Sequence, residues 1–174
     1  MLFGMQPERV PRRFTVTASA APLAVGMSFP RTAWPAHVTL IGNFVTEASA
    51  AELEDVVRRS EVLAAPLVVD LGGTAWFGTE HDVPVRLALP GPIVDVHRSL
   101  AAQVEALRGF AADDPAFWRD GYRPHLTLGP AVSGDVGDRL VIGCVAVARL
   151  DRGTATITAA FDLPPAGGRP PATA

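Results

Sequence analysis

The tetrapeptide His-x-Thr-Leu occurs twice in this chain of 174 residues, at residues 37–40 and 125–128. The two histidines, His37 and His125, are 125 − 37 = 88 positions apart, each follows shortly after a proline, and the chain has only four histidines. In a strand, residues i and i+2 point to the same face. Each copy therefore presents an imidazole and a hydroxyl to one face and two apolar side chains to the other. If the two strands lie close together, two imidazoles and two hydroxyls meet in one cleft.

Such a set of side chains suits the cleavage of a phosphodiester. An imidazole with a pKa near its ordinary value of about 6.5 can accept or donate a proton near neutral pH. We assign His125 as the general base and His37 as the general acid, and the similarity of the two motifs allows this order to reverse with the orientation of the substrate. The hydroxyls of Thr39 and Thr127 would donate hydrogen bonds to the non-bridging phosphoryl oxygens, where charge must be stabilised.

The alternative is that these histidines are structural, because a single strand histidine is more often packed or partly exposed than catalytic. Two copies with the same following leucine, in a chain poor in histidine, favour catalysis. Of the other two histidines, His97 is expected to pack or cap on a helix, and His81 is expected to lie in an exposed loop.

The elements that carry the motifs can be read from hydrophobic periodicity and turn residues. Residues 46–63 and 94–110 are predicted helices; Thr46 or Ser49 could cap the first, and Val96, Leu100, Val104 and Leu107 give the second one apolar face. Residues 21–34 and 111–123 are predicted loops. The predicted strands are residues 12–20, 36–41, 66–73, 83–90 and 122–130, followed by a closing antiparallel pair, 139–150 and 154–163, that turns near residues 151–153. The result is an α+β arrangement in which each motif strand has its own strands and helix.

Residues 12–163 resemble the two-histidine (2H) phosphoesterase superfamily, in particular its 2′-5′ RNA ligase-like and cyclic phosphodiesterase branch. The resemblance lies in the duplicated motif, in the spacing of its two copies, and in the segments PLVVDLGGTAWFG, VPVRLAL and YRPHLTLGP. The resemblance implies a bilobal fold, with two pseudo-symmetric lobes of antiparallel sheet plus helices around a central groove. It also implies that His37, Thr39, His125 and Thr127 form the active set and that no metal or other cofactor takes part. Residues 1–163 would be one such domain, and residues 164–174 a disordered tail.

The sequence departs from this family in two places. Members often carry a long helix between the first strand and the first motif, whereas this chain has only residues 21–34, which are rich in helix breakers. A trimmed first lobe would leave the groove wider on that side or covered by a partner. After the second motif, where members often have a basic residue, this chain has Gly129 and Pro130.

Four further residues, Phe77, Tyr122, Arg123 and Trp34, are candidates for binding the substrate. Either Trp76 or Phe77 could stack on a base, with Phe77 favoured by the resemblance, or both could pack in the core or between the lobes. Arg123 could bind a phosphate with two parallel hydrogen bonds, or lie free on the surface. Tyr122 precedes the second motif, and Trp34 precedes the first, where it could line the groove or pack in the core.

Composition limits the remaining possibilities. The net charge of −3 argues against a protein that coats long nucleic acid, while a short phosphorylated ligand held by a few arginines is compatible with it. The single cysteine, Cys144, lies in an apolar run and is expected to be buried, and no cluster of His, Asp and Glu has metal-ligand spacing. No apolar run is long enough to span a membrane, and the N-terminus has charges and prolines where a signal peptide has an apolar core. We therefore expect a cytoplasmic protein, monomeric by default, that acts on a nucleotide or RNA end.

Three functions remain open from the sequence. The first is a metal-independent phosphodiesterase that hydrolyses 2′,3′-cyclic phosphates or 2′-5′ linkages. The second is a hydrolase of cyclic or 2′-5′-linked oligonucleotide signals, which a wide groove would favour. The third is a non-catalytic module that binds RNA ends.

Overall fold

The computed structural model describes residues 10–129 and 132–166. Ten strands lie within these residues: β1 (Arg12–Ser19), β2 (Ser28–Pro30), β3 (His37–Thr46), β4 (Leu67–Phe77), β5 (Val83–Ala88), β6 (Ala111–Ala112), β7 (His125–Thr127), β8 (Arg139–Ile142), β9 (Cys144–Asp151) and β10 (Thr154–Asp162). Two α-helices, α1 (Ala50–Arg59) and α2 (Pro92–Glu105), and three short 3₁₀ turns, Glu61–Leu63, Pro115–Phe117 and Arg119–Gly121, complete the described elements.

The strands form one antiparallel sheet in the order β2-β10-β9-β1-β3-β7-β5-β4-β8, with β6 paired to the end of β3. The two motif strands, β3 and β7, are neighbours near the middle. On one side of this junction lie β1, β9 and β10, and on the other lie β5, β4 and β8. This is the α+β fold of two pseudo-symmetric lobes that the resemblance implied.

The main core lies between one face of the sheet and the two helices. Leu53 and Val57 of α1 and Leu100 and Val104 of α2 are fully buried against sheet residues such as Leu40. The opposite face of the sheet is therefore the one that remains for the groove.

Helix α1 is shorter than the predicted 46–63, because Thr46 ends β3 and donates its hydroxyl to the carbonyl of Arg108. Ser49 is the cap: its hydroxyl accepts a hydrogen bond from the backbone N–H of Glu52, whose carboxylate accepts one from the N–H of Ser49. At the other end, the hydroxyl of Ser60 donates to the carbonyl of Val57.

Helix α2 begins two residues earlier than predicted, with Pro92 in its first turn, and ends at Glu105 instead of residue 110. The chain turns away before Gly109, whose φ of +65° is a left-handed conformation that other residues rarely adopt. Of the predicted apolar face, Leu100 and Val104 are fully buried, Val96 is half-buried and Leu107 lies beyond the end of the helix; His97 is also fully buried.

The predicted strand 139–150 is two strands, because the chain crosses from one lobe to the other at Gly143. Before this residue β8 pairs with β4, and after it β9 pairs with β1. A Cβ at Gly143 would lie 3.0 Å from the carbonyl oxygen of Ala20, so the close approach favours glycine.

The segment between β1 and β3 contains no helix; β2 in its middle pairs with the outer strand β10. Leu23, Phe29 and Trp34 from this segment pack on a second apolar cluster that includes the buried Cys144. A short strand and three apolar side chains thus cover the part of the first lobe where the resemblance implied a helix.

Among the described residues, no helix is long and apolar enough to cross a membrane. The expected disordered tail falls mostly on residues 167–174, and Pro130 falls on the gap at 130–131, so both lie outside the described residues; residues 164–166 form no helix or strand.

Candidate active site

The four motif side chains meet because β3 and β7 are directly paired, with Val38 opposite Leu126. In an antiparallel pair with this register, His37 lies opposite Thr127, and Thr39 lies opposite His125. The side chains of Val38 and Leu126 are buried in the core, so these four residues share the other face. Opposite neighbours have Cβ atoms about 4.5–5.5 Å apart and diagonal neighbours lie somewhat further apart, so the two histidines are diagonal neighbours across the strand pair.

Each imidazole is held in the same way by the chain just before it. The Nδ1 atom of His37 is 2.7 Å from the carbonyl oxygen of Pro35, and that of His125 is 2.8 Å from the carbonyl oxygen of Arg123. A carbonyl only accepts hydrogen bonds, so Nδ1 carries the proton in both rings. The Nε2 atom of each neutral ring is then the site that gains or loses a proton.

An aromatic ring lies against each histidine. The ring centroids of Trp34 and His37 are 4.6 Å apart, and those of Phe77 and His125 are 4.5 Å apart. Trp34 and Phe77 thus hold equivalent positions in the two lobes. The Trp34 indole Nε1 is buried and has no hydrogen-bond partner within the described residues.

Burial lowers the pKa of both histidines below the ordinary value. For His37, the positive charge of a protonated His125 lowers the pKa further, and for His125 the guanidinium of Arg123 does so; the backbone hydrogen bonds act in the opposite direction. Because a positive charge on one ring disfavours protonation of the other, the pair binds a first proton, on either ring, at a higher pH than the second. One neutral and one protonated imidazole are what acid–base catalysis requires.

Two cavities open on either side of the histidine pair. The first, of about 250 Å³, lies beside His125 and is lined by Phe77, Phe117, Trp118 and Tyr122 among others. The second, of about 770 Å³, lies beside His37 and is lined by Trp34, Arg31 and Thr127 among others. The larger cavity is on the side of the first lobe where the sequence predicted a groove that is either wider or covered by a partner.

Three of the four predicted substrate-binding residues surround the first cavity. Phe77 packs beside His125 and 6.0 Å from Phe117, and the guanidinium of Arg123 lies 5.2 Å from the centre of the Phe77 ring. Tyr122 also lines this cavity, but its hydroxyl is 2.7 Å from the carbonyl oxygen of Thr39, to which it donates. The neighbouring Trp76 is 56% exposed.

Two residues near the site were missed by sequence reasoning. Asn43 lines both cavities, as does Thr39. Two irregularities in the pairing of β1 with β3 insert extra residues into β3 after Thr39, so simple alternation does not predict where Asn43 faces.

The second missed residue is His97, which was expected to pack or to cap on its helix and not to belong to the site. Its Nδ1 donates to the carbonyl of Leu40 over 2.7 Å, and its Nε2 accepts a hydrogen bond from the backbone N–H of Arg119. The ring also stacks on Tyr122, so both residues hold the backbone of the first motif. A histidine on the apolar face of a predicted helix was the available signal.

Comparison with known proteins agrees with this geometry. The sequence model of the 2′-5′ RNA ligase superfamily matches residues 15–142, which is more than half of the chain and includes both motifs. The chain belongs to this superfamily. No curated protein sequence matches it.

Several solved structures are also similar to this chain in fold. A structure described as a phosphoesterase has a TM-score of 0.52 at 16% identity, covering 88% of this chain and 99% of its own. The Thermus thermophilus protein TT0787 has a TM-score of 0.50 at 20% identity, with coverage of 87% and 97%. E. coli LigT in complex with 3′-AMP has a TM-score of 0.52 at 15% identity, with coverage of 88% and 99%. At these identities the similarity concerns the fold.

Proposed function

We propose that the protein is a metal-independent phosphodiesterase that hydrolyses 2′,3′-cyclic phosphates or 2′-5′ linkages of a nucleotide or RNA end. The observation that carries this proposal is the pairing of Val38 with Leu126, which places two imidazoles and two hydroxyls on one face. Membership of the 2′-5′ RNA ligase superfamily supports the same class of reaction.

In this mechanism the two Nε2 atoms act on opposite sides of the phosphorus. The neutral imidazole of His125 removes a proton from water, whose oxygen forms a bond to phosphorus. The bond from phosphorus to the ribose oxygen breaks, and the protonated His37 gives its proton to that oxygen. The roles exchange if the substrate binds in the opposite direction. A 5′-hydroxyl in place of water would give up its proton to the same base, bond to the phosphorus and open the cyclic phosphate, which joins two ends. Each proton transfer contributes a factor of about 100 to 10,000 to the rate.

Thr39 and Thr127 would donate hydrogen bonds to the two non-bridging oxygens, since each hydroxyl lies opposite a histidine. Negative charge accumulates on these oxygens during the displacement. The first cavity would take a base against Phe77, because aromatic stacking binds unpaired bases with little dependence on sequence. In line with this, solved structures of LigT contain 3′-AMP or ATP.

A second candidate function is the hydrolysis of cyclic or 2′-5′-linked oligonucleotide signals. The cavity of about 770 Å³ beside His37 favours it, because a cyclic mononucleotide leaves most of that space empty. A panel of cyclic dinucleotides and trinucleotides tests this candidate, and no turnover of any member would count against it.

The first experiment is phosphorus NMR of a 2′,3′-cyclic mononucleotide incubated with the protein in EDTA, beside the His37→Ala and His125→Ala variants. We expect wild type to convert the cyclic phosphate and each variant to be at least about 100-fold slower, with unchanged circular dichroism. Retained turnover in either variant would refute the two-histidine mechanism. Tight binding of RNA ends without turnover would instead identify a binding module.

A further inference from the structure

A third cavity, of about 590 Å³, is lined by five arginines: Arg12, Arg13, Arg31, Arg149 and Arg152. We call it the arginine cavity. The chain has 15 basic residues and a net charge of −3, so a third of its positive charges are gathered around one opening in an acidic protein. Arginines that only kept the surface solvated would be spread more evenly over it.

The positive charge of the arginine cavity is only partly neutralised. Arg149 pairs with Asp151 over 3.1 Å, and Arg13 pairs with Asp113 over 3.0 Å. Within residues 10–129 and 132–166, Arg12, Arg31 and Arg152 form no ion pair. Five guanidinium groups and two carboxylates leave three positive charges, and all five arginines are exposed.

The arginine cavity lies on the same face of the sheet as the histidines. Arg13 and Thr17 share one side of β1, whose pairing with β9 is regular, and Thr17 pairs with Thr39 of the first motif. Thr17 is four residue steps along the strand from Arg13, which is about 13 Å at roughly 3.3 Å per step.

The arginine cavity is also continuous with the groove. Arg31 and Leu150 line both the arginine cavity and the cavity beside His37. An extended anion that runs from the histidines along the His37 side of the groove therefore reaches Arg31 first and then the other four arginines.

We propose that the arginine cavity binds the phosphates of a single-stranded oligoribonucleotide whose reacting end lies between the two histidines. Guanidinium groups suit this role because they stay charged and bind phosphate oxygens in pairs. This inference rests on the proposed function and narrows its substrate to an oligonucleotide end, because a mononucleotide at the histidines stops short of the arginine cavity.

The test compares a 2′,3′-cyclic mononucleotide with a hexaribonucleotide that ends in a 2′,3′-cyclic phosphate. The variant is Arg12→Gln with Arg152→Gln, two residues that line the arginine cavity and not the histidine groove. The matched control is Arg59→Gln with Arg98→Gln, which changes the net charge equally on the two helices behind the sheet.

For wild type, we expect kcat/KM to be at least about tenfold higher for the hexanucleotide than for the mononucleotide at low salt. In the Arg12/Arg152 variant this ratio should fall toward one, and the slope of log kcat/KM against log salt should decrease by about 1.4, or about 0.7 for each phosphate contact to a single strand. The control should keep both the ratio and the slope. Equal kcat/KM for the two substrates in wild type would overturn the inference. An equal decrease of the kcat/KM ratio in the variant and the control would overturn it as well.

Binding of a fluorescent hexanucleotide separates this inference from the proposed function. If wild type turns over neither substrate, the proposed function fails. The binding role proposed for the arginine cavity is then still supported if the Arg12/Arg152 variant binds the hexanucleotide more weakly than the control does. That role is refuted if the two bind it equally.

Discussion

The imidazole of His97 lies flat against the ring of Tyr122, with ring centroids 3.8 Å apart and planes 6° apart. Behind this stack, His97 donates to the carbonyl of Leu40, and the Tyr122 hydroxyl donates to the carbonyl of Thr39. Burial raises the pKa of Tyr122, so its hydroxyl keeps the proton it donates. Two residues from outside the motif thus fix adjacent carbonyls of the first motif strand and, through them, the place of the Thr39 hydroxyl.

Tyr122→Phe keeps the stacked ring and removes the hydrogen bond to Thr39. We expect a loss of about 1 kcal/mol in the free energy of unfolding and a decrease of about fivefold in kcat. If Tyr122 acts by positioning the Thr39 hydroxyl, the decrease in kcat disappears when Thr39 is already valine, so a double-mutant cycle should be non-additive. Additive effects of the two substitutions would show that Tyr122 does not act through Thr39.

Thr39→Val and Thr127→Val remove the two hydroxyls while keeping the shape of the side chains. Each should lower kcat/KM by about tenfold, because one hydrogen bond to a charged phosphoryl oxygen is lost. Steady-state kinetics with a cyclic mononucleotide measure this effect. Thr154→Val, at a half-buried strand threonine outside the motifs, is the matched control and should leave kcat/KM unchanged. Wild-type kinetics in both motif variants would remove the threonines from the mechanism.

Phe77→Ala should raise KM by about 5- to 150-fold, since stacking on one base is worth about 1–3 kcal/mol. Trp76→Ala is the control, because Trp76 is the adjacent aromatic residue in the same strand and is 56% exposed. KM values for purine and pyrimidine cyclic phosphates provide the measurement. An equal effect of the two substitutions would argue against a base beside Phe77.

The lowered pKa values of His37 and His125 predict the pH dependence of kcat/KM. A mechanism that needs one neutral and one protonated imidazole gives a bell-shaped profile. Because burial lowers the pKa of both, the centre should lie on the acid side of about pH 6.5. Initial rates at constant ionic strength from about pH 4.5 to 9 measure the profile. A centre above about pH 7.5, or a profile without an alkaline limb, contradicts this assignment.

His97 should make the fold sensitive to mild acid. Burial lowers its pKa in the folded state, so between that value and about pH 6.5 the unfolded chain binds more protons, and the free energy of unfolding falls as the pH decreases. His37 and His125 contribute with the same sign.

Urea unfolding at several pH values between about 7.5 and 5.5 measures this effect. The pKa of Glu105 is lowered, mainly by its hydrogen bond to Arg119, so this carboxylate affects the pH dependence of unfolding only at lower pH. His97→Gln should reduce the pH dependence, whereas His81→Gln, at an exposed histidine, should leave it unchanged. A free energy of unfolding that stays constant or rises toward about pH 5.5 in wild type would refute the prediction.

Sequence periodicity predicted the local features of the site correctly. The i, i+2 spacing of His37 and Thr39, and of His125 and Thr127, placed each pair on one strand face opposite two apolar residues, and the structure has them there. The helical spacing around Leu100 likewise identified the face that packs on the sheet. These features depend on a few neighbouring residues, so a single segment contains the information.

Element ends were less predictable where contacts from distant residues decide them. Thr46 and Ser49 were equally good caps in the sequence, and the bond from Thr46 to the carbonyl of Arg108 leaves Ser49 as the cap. The strand 139–150 reads as one apolar run, and only the change of pairing partner at Gly143 divides it.

By itself, the sequence determined the residue types, the faces of the motif strands and the family. The tertiary structure alone decided that Val38 pairs with Leu126, that His97 and Tyr122 meet behind the first motif, and that arginines from three distant segments surround one cavity. The physical reason is that strand order and register depend on burial summed over the whole sheet. A local pattern shows which face of a strand is buried, but it does not specify which strand pairs with it.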